Sequence, residues 1–452
     1  MNVSGLKAVA VLVWGAVLTI CGLSAIYLFM NTDARAMLVA KPAGSVVPSD
    51  TALPQKPTDT PLPRVYYLPS ATARAATAMP VTVTPANSAQ IPVLQYSLTI
   101  APDVNPLTGR KAENLQNLQR RPVAVKISTF PRGAVRPNQY GLSQADVVYE
   151  YYIEDGLTRF IAVYYSQDAA RAGPVRSGRY FDEYVMRMYR SSLVFANADE
   201  RVENHLLETD LLPLLFLPRD NNCPPLCRDT SVKGYNNMYV DTSGVGLMLS
   251  DNSRQELRSY LFGPLLYPLS YPLIDRIYTH YSIYSYNYWQ YDPISQVYKR
   301  FSDDADAPAV GVDEVYAPHI DHLTGEQLAA DNVIVLVVPH IFHNEFDRAD
   351  QLIDITLNGS GDGYLFRDGR MVEVKWIRDE MGQPIRLEDR FGQPIPMKPG
   401  VTYYQVIDTE SSISQSGNNM EYYFFIPLRE VTPTPTPFGF EPTSTPRKNN
   451  HN

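Results

Sequence analysis

The sequence predicts an α+β fold of two mixed, strand-rich domains, set behind an N-terminal transmembrane helix and a disordered linker. Three features predict it: a charge-free apolar run near the start, a Pro/Ala/Thr-rich stretch after it, and β-rich runs broken by Asp-Gly turns beyond.

Ala8 to Met30 reads AVAVLVWGAVLTICGLSAIYLFM, without a charge. The run is longer than the roughly 20 residues a helix needs to cross a bilayer core. A cleaved secretory signal would have a shorter apolar region followed by small residues. A lipoprotein signal would place a small residue before the modified cysteine, whereas Cys21 follows Ile20 and more apolar chain follows it. Residues 1–33 are therefore expected to be an uncleaved single-pass anchor in the plasma membrane. Lys7 on the short N-terminal side favours the N-terminus inside and the folded part outside.

Residues 34–97 are rich in Pro, Ala and Thr and carry almost no periodic pattern, as does the tail 431–452 (VTPTPTPFGF and onward). Such compositions bury too little surface to fold, so both are expected to be disordered. A linker of that length would give a reach of roughly 40–50 Å as a random coil. The formal charge of −9 and pI near 5.4 argue against a nucleic-acid partner, which a basic footprint would mark. Of the three cysteines, Cys21 falls in the anchor. Cys223 and Cys227 remain, a pair that suits a disulfide outside the cytoplasm and lacks the four ligands of a zinc site.

The first folded region is expected over 98–265. DVVYEYYIE (146–154), Asp155-Gly156 and LTRFIAVYYS (157–166) read as a hairpin around a two-residue turn. That turn would set Tyr152 opposite Arg159, with Glu150 and Glu154 diagonal on the same face. Val147, Tyr149, Tyr151, Ile153, Phe160, Ala162 and Tyr164 would line the core face. Ser177 is placed to open a helix with Phe181, Tyr184, Val185 and Met188 on its apolar side. The second region is expected over 276–430, after short helices and connections between 240 and 275. Asn332 to Val338 reads as a buried strand, Asp368-Gly369 as a second hairpin turn, and VTYYQVI (401–407) as a further strand.

Several segments resemble the DUF3048 family, the YerB-like proteins of the bacterial envelope. They are NPLTG (105–109), RPVAVKIS (121–128), GLSQADVVYEYYIEDGLTRFIAVYYS (141–166) and GPVRSGR (173–179). In the second half they are YDPISQVYKR (291–300), HIDHLTGEQLAADNVIVL (319–336), GSGDGYLFRDGRMVEVKW (359–376) and IPMKPGVTYYQV (395–406). The resemblance implies an N-terminal and a C-terminal family domain and a surface-exposed, membrane-tethered protein, and no activity. Two departures stand out. ANADERVENH (196–205) replaces a His-Ala-Gly-Gly-Ser-like run, and Tyr235-Asn236-Asn237 replaces Pro-His-Asn.

Glu150, Glu154, Arg159, Arg176 and Arg179 are the candidate ligand-binding residues. Arginine forks suit carboxylate and phosphate, and paired carboxylates suit glycoside hydrolysis. The plainer reading is a cross-strand salt-bridge network. His319, Asp321, His322, His340, His343 and Glu345 carry metal-ligand chemistry, but a strand ending at Pro339 would leave His340 in a loop, and no metal is expected. Gly359 to Gly363 precedes a strand rather than a helix, which argues for a loop before a hairpin and against a phosphate cradle. Tyr284, Tyr286 and Tyr288 alternate, so on a strand they would form one aromatic face, either packed or open to a sugar or a protein.

No cofactor is expected and no catalytic set is complete. The leading expectation is a non-catalytic, membrane-tethered binding or scaffolding protein of the bacterial envelope, with cell-wall polymer or another envelope protein as ligand. The alternative is a cell-wall glycan hydrolase using Glu150 and Glu154.

Overall fold

Five strands from the first half of the chain and five from the second form one ten-stranded sheet. The structure, a computed structural model of the chain, describes residues 100–218, 222–266, 268–304, 314–343 and 352–427. The expected anchor, linker and C-terminal tail lie outside them. Among the described residues no helix is long and apolar enough to cross a membrane.

In spatial order the sheet runs Arg386–Glu388, Arg370–Arg378, Gly359–Arg367, Asn332–Val338, Thr402–Asp408, Val147–Tyr152, Thr158–Tyr164, Val123–Ser128, Ser192–Val194, Leu215–Phe216. The halves meet where Val147–Tyr152 pairs in parallel with Thr402–Asp408, Tyr149 opposite Tyr404. The two expected strand-rich regions thus share one continuous sheet. Each would otherwise present an unpaired edge, and pairing the two edges removes both. The central strands are buried on both faces throughout their length, which explains why β-branched and aromatic residues dominate them.

One face is covered by helix Phe181–Tyr189, whose Phe181 packs 4.5 Å from the Tyr151 ring and 5.8 Å from Tyr149. The helix starts four residues after Ser177, because the Ser177 hydroxyl bonds Asn197 instead of capping it. Asp182 accepts from the Arg179 N–H at 2.8 Å and closes the first turn. The other face is covered by a seven-stranded sheet drawn from the second half, including Arg276–Ser282, Ser285–Asp292 and Val297–Asp303. Arg276–Ser282 alternates half-buried and buried, as one-sided strands do. The inner residues of this second sheet include Trp289, in Ser285–Asp292, edge-on to Tyr403 at 4.8 Å.

The strands expected at Asn332–Val338 and Thr402–Asp408 are present. So is the Asp368-Gly369 turn, both residues having positive φ as a tight hairpin requires. The glycine-rich segment is not a loop: Gly359–Arg367 is a strand throughout. A Cβ on Gly361 would stand 2.6 Å from the Trp376 indole nitrogen, so glycine lets that ring lie across the strand. His340 is likewise not in a loop but in the short strand His340–Phe342.

Candidate functional site

The site begins with the turn of the first hairpin. Ile153 N–H donates to the Leu157 carbonyl and Leu157 N–H to the Glu154 carbonyl, each at 2.9 Å. Asp155 and Gly156 both adopt positive φ. The loop therefore spans Glu154, Asp155 and Gly156, one residue more than the two expected. Gly156 is further held against Ser282, where a Cβ would meet Oγ at 2.8 Å. The extra residue slips the register by one, so Arg159 stands opposite Tyr151 rather than Tyr152, and Glu150 opposite Phe160. A one-residue slip moves a side chain to the other face. Tyr149 and Tyr151 consequently share a face with Arg159, while Glu150 points the opposite way with Phe160 and Ala162.

Glu150 is buried between the two sheets. Its carboxylate accepts from Arg300 Nη2 at 2.7 Å, Thr158 Oγ1 at 2.9 Å and Asn287 Nδ2 at 3.3 Å. Arg300 is equally buried and reaches Ser302 and His319. Burial beside Arg136 and Arg300 pushes the His319 imidazole well below its usual range, so it serves as a neutral bridge between Ser302 and Gln139. The expected Glu150–Glu154 pair is therefore not a pair. The two carboxylates lie on opposite sides of the sheet, and Glu150 is sealed in a structural ion pair.

The remaining four expected residues do converge. Glu154, in the hairpin loop, receives Arg179 through Nε at 3.0 Å and through Nη2. Arg176 and Arg179 come from the segment 175–179, whose Arg176 N–H bonds the Lys126 carbonyl and whose Arg176 carbonyl accepts from Ala196. That wedges the segment beside the C-terminal ends of the parallel strands Val123–Ser128 and Ser192–Val194. In open α/β sheets the strand C-termini are where ligands commonly bind. Arg159 enters from the next strand, opposite Ser128.

Arg159 is only 8% exposed, and its Nη1 is buried without a hydrogen-bond partner among the described residues. Burial first, then Arg179 and Arg176, push its guanidinium down to about 9. Arg176 lies with its guanidinium 4.5 Å from the centre of the exposed Tyr235 ring, and its Nε is also buried without a partner. Burial depresses Arg176 in the same way. A buried charged donor left unpaired is costly, so the cluster is primed for an anion.

Below this cluster lies a group that the sequence did not single out. Lys126 Nζ stands 3.1 Å from Asp182 Oδ1 and against the Tyr151 hydroxyl, and Tyr151 donates to the same Asp182 oxygen at 2.5 Å. Burial lowers the Lys126 ammonium to about 7, outweighing the opposing pull of Asp182. Tyr151 is pushed well above its ordinary range by burial and by the Asp182 carboxylate. One signal was available: a lysine in the middle of the otherwise apolar run VAVKIS.

The other expected features take structural places, apart from Glu345, which lies outside the described residues. Among the described residues no group of His, Cys, Asp and Glu could hold a metal. His340 is buried with Nδ1 2.8 Å from the Val338 carbonyl. Asp321 accepts from the Gly141 and Ser143 N–H groups. Tyr286 is buried edge-on to Tyr316, and Tyr288 stacks at 4.6 Å on Phe301, which covers one ring face. Tyr284 precedes the strand. Cys223 and Cys227 are bonded to each other, Cys227 lying in the strand Leu226–Arg228 that pairs with Met238–Val240.

Residues 107–255 match the model of a family described as a protein of unknown function, DUF3048, N-terminal domain, and residues 277–404 match its C-terminal domain. The chain belongs to the DUF3048 family. This DUF3048 chain is 28% identical over 312 residues to "Putative lipoprotein YerB" of Bacillus subtilis strain 168, covering 67% of this chain and 85% of that one. It is also similar to the crystal structure of YerB from Bacillus subtilis, with a TM-score of 0.55 and 26% identity over 67% of this chain and 96% of that chain. Glu154, Arg159, Arg176 and Arg179 all fall in the DUF3048 N-terminal domain. The Arg300 that neutralises Glu150 falls in the C-terminal one, so that ion pair ties the two together.

Proposed function

We propose that this protein is a membrane-tethered, extracytoplasmic binding protein of the bacterial envelope, which holds an anionic group of a cell-wall polymer or envelope protein at Arg159 and Arg176, beside the Arg179–Glu154 pair. The observation that carries the reading is the buried, unpartnered Arg159 guanidinium beside Arg176, facing Glu154 and Arg179. The lipoprotein description of the Bacillus subtilis relative supports an envelope address, and the Ala8–Met30 run supplies this chain with a single-pass anchor. The glycan-hydrolase alternative is set aside, since its two carboxylates do not share a cleft.

The test is retention on isolated cell wall by the wild-type protein and by the charge reversals Arg159→Glu and Arg176→Glu. Wild-type protein should sediment with the wall, and each reversal should lower retention at least tenfold while circular dichroism stays native. Equal retention of both folded variants would remove the site from the function.

A further inference from the structure

The cations of the candidate site are not equally free. Lys126 faces Asp182, and Arg179 is held by both oxygens of Glu154. Arg159 and Arg176 have no carboxylate partner and no side-chain hydrogen bond among the described residues, and each buries an unpartnered nitrogen. With Lys126 and Arg179 balanced, two positive charges remain uncompensated, on side chains close enough that Arg176 helps to depress Arg159.

Resting on the reading above, we infer that the anion bound at Arg159 and Arg176 is a doubly charged phosphoryl group, a phosphate monoester or a diphosphate. A single carboxylate would neutralise one guanidinium and leave the other buried and uncompensated. A phosphodiester, with one charge, has the same shortfall. A phosphate monoester carries about −1.5 to −2 charges near neutrality and has three acceptor oxygens. That is enough to accept from two forks at once, in the side-by-side geometry that guanidinium and phosphate share. Arg159 supplies the floor, because it is buried and comes from a strand of the central sheet. Arg176 supplies the wall. The Tyr235 ring covers its guanidinium at 4.5 Å. That contact restrains the fork without using its donors. The exposure of Tyr235, at 60%, leaves the rest of the ligand room to extend to solvent.

The probes are glycerol 1-phosphate and pyrophosphate, with dimethyl phosphate and acetate as the singly charged phosphodiester and carboxylate comparisons. Binding to the detergent-solubilised full chain is followed by titration calorimetry. Glycerol 1-phosphate and pyrophosphate should bind at least tenfold more tightly than either comparison. The monoester should weaken as pH falls below about 6, where the dianion takes up a proton and becomes singly charged. Arg159→Gln and Arg176→Gln should each cost at least tenfold, and Arg390→Gln, a surface arginine beside Phe391, should cost nothing. Should Arg159→Gln fail to fold, Arg159→Lys keeps the charge and loses the fork, and it should still weaken the monoester.

If acetate or dimethyl phosphate binds as tightly as the monoester, the phosphoryl assignment is overturned. It is overturned alone if wall retention depends on Arg159 and Arg176 while no phosphate probe binds. If neither wall nor probe binds, the reading of the site as a binding site falls with it.

Discussion

Glu150 and Arg300 stand 150 residues apart in sequence and 2.7 Å apart in space, inside the interface between the two sheets. Breaking one partner of such a buried pair strands the other charge, which costs about 3–5 kcal/mol, whereas replacing both with apolar groups is often near neutral. Urea unfolding of Glu150→Met or Arg300→Met should show that loss, and the double variant Glu150→Met with Arg300→Met should recover most of it; additive losses would refute the coupling. Lys126 sets a pH dependence. Its folded value near 7 lies below the 10.5 of a free lysine, so between those values the unfolded chain binds more protons. Stability therefore rises with pH through that window, by at most about 1.4 kcal/mol per pH unit, and is flat for this group below it. Lys126→Met should remove the slope, measured as the urea midpoint at pH 7 and pH 9. Four of the five candidate residues were legible because Arg and Glu gather within one short stretch around a hairpin. Glu150 was misplaced because its face depends on a single extra loop residue, and Asp-Gly closes two-residue and three-residue loops alike.

At the scale of elements, turn chemistry and periodicity carried most of the information. The Asp368-Gly369 hairpin, the Asn332–Val338 strand and the Thr402–Asp408 strand follow from local residue choice. Local choice misled where a neighbour overrode it. The glycines of Gly359–Arg367 read as a loop, but they form a strand because Trp376 lies across Gly361 and donates from its indole to the Val337 carbonyl at 2.9 Å. Gly361→Val should force the ring away and cost about 1–3 kcal/mol. A lowered melting temperature with a red-shifted tryptophan emission is the expected readout, and an unchanged melt would show the strand has space that the structure denies it. Ser177 read as a helix start, yet its hydroxyl is taken by Asn197 and the helix opens at Phe181. A capping residue caps only when nothing else claims its side chain.

At the scale of the whole molecule, the two family domains behave as parts of one sheet. Expressed separately, residues 100–266 would expose the Val147–Tyr152 edge and residues 268–427 the Thr402–Asp408 edge. Each piece would also keep one half of the Glu150–Arg300 pair. Neither should melt cooperatively alone, by calorimetry; two cooperative melts like that of the full chain would contradict a shared core. The sequence by itself determined the membrane-anchor expectation, the strand-rich α+β character, both Asp-Gly hairpins and the arginine-rich stretch, since each is written in residues a few positions apart. Only the tertiary structure decided which face Glu150 occupies, that the halves join through parallel strands, and that Arg159 is buried beside Arg176 with a donor to spare. Those outcomes depend on pairings between distant segments. Turn propensity and hydrophobic period constrain the shape of each segment but not its partner, which is selected when the whole core packs.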